Sequence, residues 1–158
     1  MNFDVYQYPP FLDGAKAVLE LMLALIIRGY LVFVLIGFMI YVTGVSDGLG
    51  KAFVALGVII YIGGPFLLEL FGGVLGLELP TLEAATSRWL RTIGMTDSEL
   101  VGILVLLGDM VAAIAILAGA ILYFTPSPND LKERGYSLIV RALMFTPVLV
   151  FFHIAPWI

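Results

Sequence analysis

Four runs of mostly apolar residues dominate the chain, and each is long enough for a helix to cross the ~30 Å hydrocarbon core of a bilayer, which takes about 20 residues. They extend from about Ala15 to Val45, Ala52 to Leu77, Glu99 to Phe124 and Ser137 to Ala155. At 1.5 Å per residue the first would be roughly 46 Å long as a single helix. Its excess is read as interfacial, with Lys16 and Glu20 in the first turns. The expected fold is therefore all-α, a single integral membrane domain with four transmembrane helices.

Composition supports this and excludes other classes. Of 158 residues, 61% are hydrophobic and 13% charged, against roughly 25% charged in a soluble domain. The mean hydropathy is +1.08. So little charge cannot cover a water-soluble sphere, nor keep a chain disordered. The net charge of −4 leaves no polybasic surface, so phosphate-neutralising contact with nucleic acid is not expected. With no Cys and a single His, His153, thiolate metal sites, disulfides, iron–sulfur clusters and cysteine nucleophiles are excluded, as is a bis-His haem within one copy. Met1 to Asp13 has no positive stretch and does not look like a cleavable signal peptide. Gly48-Leu49-Gly50-Lys51 lacks the flanking residues of a phosphate-binding loop.

The connections add detail. Ser46 to Lys51 is a short glycine turn that folds the first two helices into an antiparallel hairpin. In Pro80 to Thr96, Leu82, Ala85, Trp89 and Ile93 recur at helical spacing. This predicts a short amphipathic helix over about 81–93, lying in the interface and anchored by Trp89. Thr96 and Glu99 form a capping-box pattern for the third long helix. Thr125 to Asp130 reads as a rigid turn before the charged run Lys132-Glu133-Arg134, and Pro156-Trp157-Ile158 as an interfacial aromatic finish. Lys and Arg are split almost evenly between the two sides. The lean is toward cytoplasmic first and third loops in a multi-pass protein of the cell membrane.

Ionisable groups within apolar runs are expensive and invite functional readings. Arg28, in the middle of the first run, would hold an anionic substrate or a quinone carbonyl, or snorkel, or pair with a neighbouring helix. Glu69 follows Gly63-Gly64-Pro65, which predicts a loosened or kinked helix lining a cavity. It reads as a proton-relay group or as the partner of Arg28. Asp109 lies deep in the third run. It reads as a proton acceptor, an ion ligand, a quinone partner or a structural interhelical hydrogen bond. His153 would ligate a haem only with a ligand from another subunit; a headgroup-level histidine is the plainer reading. Gly108, Ala112, Ala115 and Gly119 form a small-residue ridge, and Gly72 and Gly76 a GxxxG pair. Both read as helix-packing seams, within the chain or between copies.

The stretch Gly48 to Leu79 carries a short alanine-containing turn, a Gly-Gly-Pro break and then LLELFGGVLGLEL. In this it resembles the middle of DoxX-type four-helix membrane proteins. Glu69, Gly72 and Gly73 match that family's Leu/Gly helix, and Arg28 in LALIIRGYLVF matches the arginine typical of its first helix. Met110 and Ala112-Ala113 are compatible with its third. The resemblance covers about three-quarters of the chain. Where the family has a His-Gly-x-x-Lys segment, this chain has Tyr41-Val42-Thr43-Gly44. The resemblance implies a membrane subunit attached to a respiratory or sulfur-oxidising, quinone-linked complex. The hairpin from Ala24 to Phe71 is also similar to conjugative pilins, which polymerise with bound lipid, although two further membrane helices follow here.

The leading expectation is an accessory membrane subunit without catalytic or metal-binding residues of its own. Arg28, Glu69 and Asp109 would form a buried polar set beside a quinone or lipid. The expected partners are membrane lipids and other integral membrane subunits, or copies of itself. The alternatives are a small proton-coupled transporter or channel using Asp109 and Glu69, and a self-assembling, pilin-like hairpin protein.

Overall fold

The computed structural model describes residues 10–126 and 128–154. The expectations for Met1 to Pro9 and for the Pro156-Trp157-Ile158 finish lie outside these residues. Within them every regular element is helical: α1 (Pro10–Ala24), a π-helical turn (Leu25–Gly29), α2 (Tyr30–Thr43), α3 (Asp47–Leu75), α4 (Leu82–Ile93), α5 (Asp97–Phe124) and α6 (Asn129–Ile154). Four helical stretches are long and apolar enough to cross a membrane: Phe11–Thr43, Asp47–Leu75, Asp97–Phe124 and Asn129–Ile154.

Local chemistry sets the helix ends. Gly44, at φ 70°, ends α2 in the left-handed region that favours glycine. The Ser46 hydroxyl then caps α3 by accepting the Leu49 N–H at 3.2 Å. Thr81 caps α4 in the same way through the Ala84 N–H. Thr96 and Glu99 form the full capping box at the start of α5.

Three boundaries differ from the sequence reading. The first span starts at Phe11, in a helix that begins at Pro10, and contains a π turn. α3 runs through Gly63-Gly64-Pro65 without a break, with Gly64 pressed against the Ile26 side chain of the first span. α6 starts at Asn129 rather than near Ser137, because Lys132-Glu133-Arg134 is helical.

Two glycine seams hold the hairpins. On α3, Gly50, Gly57 and Gly64 are buried at seven-residue spacing. A Cβ on Gly50 would lie 2.9 Å from the Gly37 carbonyl oxygen, and one on Gly57 2.8 Å from that of Tyr30. Backbone therefore meets backbone along the α2–α3 contact, which only missing side chains allow. On α5, the buried residues Gly108, Ala112, Ala115 and Gly119 face α6. Gly119 meets Gly135, and a Cβ on either would come within 2.7 Å of the other's carbonyl oxygen.

The main core lies where α2 joins these two helices. Leu35 and Val42 pack with Val101, Leu104, Ala142 and Phe145, and Phe38 stacks on Phe145 at 5.6 Å between ring centroids. α3 packs on the first span and has at most marginal contact with α5 or α6.

The hairpins are also offset along their length. Gly44 sits beside Leu138 and Arg141. The part of α6 before Leu138 therefore extends about 14 Å past the α2–α3 turn. At the other end Arg28 reaches Asp97, the first residue of α5. α1 runs on beyond that level, and α4 packs against it.

Candidate functional site

Arg28 lies in the π turn of the first span, where the Tyr30 N–H reaches back five residues to the Leu25 carbonyl. Such single wide turns are often found at functional sites. Arg28 Nη1 lies 2.7 Å from Asp97 Oδ2. Asp97 stands in the first turn of α5, where the helix dipole favours a carboxylate. Its other oxygen accepts the Ser98 N–H at 3.0 Å. Next to Arg28, Gly29 leaves room for the Trp89 ring, whose Cζ3 would lie 3.2 Å from a Cβ placed there.

α4 closes over this turn. Its Ala85 and Trp89 are buried against Ala24 and the residues around it. Arg88 Nε donates to Glu20 Oε2 at 2.8 Å, and Glu20 is itself buried. This corrects the expected role of Trp89. Its ring is only 6% exposed and anchors α4 to the first span, while Leu82, Leu90 and Ile93 stay exposed. Between α4, the π turn and the start of α5 is a cavity of about 210 Å³, lined by Ile27, Arg28, Leu82, Thr86, Trp89 and Asp97 among others. The Trp89 indole N–H is buried and has no hydrogen-bond partner among the described residues.

The structure does not bring Arg28, Glu69 and Asp109 together. The partner of Arg28 is Asp97, not Glu69. Glu69 is exposed on α3, roughly 33 Å along the helix from Asp47. Asp109 instead pairs with His153, with Oδ2 and Nε2 3.3 Å apart. His153 Nδ1 lies 2.9 Å from the Leu149 carbonyl oxygen. Both ring nitrogens of His153 thus have a partner within the chain. Among the described residues no group of three or more His, Asp or Glu side chains is placed to hold a metal ion.

Gly72 and Gly76 do not form a helix-packing pair within the chain. Gly76, at φ 61°, ends α3, and Gly72 faces the returning residues Leu77 and Leu79. A further ion pair was not anticipated: Arg141 grips both oxygens of Asp47, at 2.6 and 3.0 Å, and donates to the Tyr41 carbonyl at 3.2 Å. Neither Asp47 nor Asp97 stands out in the sequence, because each reads as a helix-start acid. The seven-residue glycine spacing of α3 was a legible signal for its seam.

Searches of protein-family models, curated proteins and solved structures find no match to this chain.

Proposed function

We propose that the chain is an accessory, multi-pass membrane subunit that works inside a larger membrane assembly and docks through the outer face of α5 and α6. The observation that carries this reading is the Asp109–His153 pair. Its side chains are 42% and 55% exposed, on two helices long and apolar enough to cross a membrane. Ionisable groups on such helices are costly against lipid and normally face protein. Gly102 and Ala113 lie on the same face of α5 and are also exposed. A Cβ on Gly102 would meet nothing within 4 Å, so a neighbouring helix has room to approach closely. With an acid and a base on one patch, the face suits another copy as well as a different subunit.

A proton path through Asp109 and Glu69 is less well supported. These residues stand on helices with at most marginal contact, and the Gly-Gly-Pro segment expected to open a pathway is continuous helix.

The test is extraction from the native membrane in mild detergent, followed by native mass spectrometry and visible absorbance. The expected result is a species well above the 17.2 kDa of one chain. Haem- or flavin-bearing partners would make the assembly respiratory, as the DoxX-type resemblance implies. A colourless assembly of copies alone would replace the accessory role with self-assembly. A lone monomer would overturn the reading.

A further inference from the structure

The cavity beneath α4 has a polar wall that the docking role leaves unused. Its acceptors are engaged: one oxygen of Asp97 takes the Ser98 N–H and the other faces Arg28. The Thr86 hydroxyl donates back to the Leu82 carbonyl at 2.9 Å. Its donors are not. A guanidinium has five N–H groups, and Asp97 is the one partner of Arg28 among the described residues. The Trp89 indole N–H is buried and does not open onto the cavity, so the free donors are those of Arg28. A molecule matched to this wall must therefore bring oxygen acceptors.

The rest of the cavity narrows the class. Ile27 and Leu82 supply apolar wall beside the polar groups. At about 210 Å³ it falls below the ~300–1,000 Å³ of pockets that enclose a whole small molecule. A head fits, and the remainder of the ligand must lie outside. Depth agrees with that division. Arg28 lies about 22 Å along the first span from Thr43, which brings it toward the far edge of a ~30 Å core entered at the α2–α3 turn.

We infer that this cavity binds the phosphate-bearing headgroup of a membrane phospholipid, with the phosphate oxygens on the free N–H groups of Arg28 and the acyl chains outside. The site is independent of the docking face on α5 and α6, so either assignment can fail without the other.

The test uses the full chain carrying Trp157→Phe, which leaves Trp89 as the sole tryptophan. Trp89 emission is followed in maltoside while dioctanoyl phosphatidylglycerol, dioctanoylglycerol or inorganic phosphate is added. The expected result is a saturable change with phosphatidylglycerol and binding at least tenfold weaker for the other two. Arg28→Gln should weaken phosphatidylglycerol at least tenfold. Thr86→Phe, which fills the cavity and leaves the ion pair untouched, should abolish the response even if Arg28→Gln fails to fold. Equal binding of dioctanoylglycerol would reduce the site to an apolar cleft. Equal binding of inorganic phosphate would remove the lipid from the assignment. No saturable response in folded protein, or one insensitive to Thr86→Phe, would overturn it.

Discussion

Arg28 and Asp97 lie 2.7 Å apart and tie the π turn of the first span to the first turn of α5. Exposed pairs contribute about 0.2–1 kcal/mol, and breaking a buried one costs about 3–5 kcal/mol. With side chains 37% and 22% exposed, this pair falls between those cases. Arg28→Gln or Asp97→Asn alone should cost on the order of 1–2 kcal/mol, while the neutral double variant should recover much of the loss. The charge-reversed double variant should not recover it, because an arginine at the start of α5 opposes the helix dipole. Unfolding of the four proteins in detergent checks this. Additive losses in the neutral double variant would mean that the two groups do not interact.

The α3 seam makes a sharper steric prediction. Gly57→Leu would drive a side chain into the Tyr30 carbonyl, whereas Gly63 faces open space. Gly57→Leu should destabilise the hairpin by about 1–3 kcal/mol or more, and Gly63→Leu should be nearly neutral. Thermal unfolding followed by size-exclusion chromatography separates the two. Equal losses would show that the seam does not set the approach of α2 and α3.

Trp89 fastens α4 to the first span. Trp89→Ala should cost about 3–5 kcal/mol of local packing and release α4. Trypsin should then cut after Arg88 or Arg91 far faster than in the unmodified protein. Unchanged cleavage would mean that the Glu20–Arg88 contact holds α4 by itself.

These sites show what the sequence made legible. Run length and hydropathy were sufficient for four long helices, and the Thr96–Glu99 spacing for the capping box, because both are local properties. The partner of Arg28 was not legible. Choosing between Glu69 and Asp97 depends on the lengthwise offset of the hairpins, and apolar helices carry little information about register. Trp89 misled for a related reason. An indole at the edge of an apolar run suits either a headgroup layer or a gap over a glycine, and Gly29 supplies the gap. The Gly72–Gly76 motif was correctly spaced, but a glycine just past the last turn is also a helix terminator, and Gly76 serves as one.

The proposed docking face also makes a prediction at Asp109. Asp109→Leu removes one partner of an exposed pair in an apolar belt. It should improve the match of a lone chain to lipid while weakening its assembly. A smaller native mass with unchanged helix content by circular dichroism is expected. An assembly of unchanged mass would place the docking face elsewhere.

The most direct measurement is site-specific photo-crosslinking in the native membrane, with the reactive residue at Ala113 on the exposed face of α5 or, as a control, at Ile62 on the exposed face of α3. A protein of discrete mass should be captured from position 113, lost when Asp109→Leu is added, and absent from position 62. Lipid adducts alone at position 113, or equal protein capture from both positions, would contradict docking through α5 and α6.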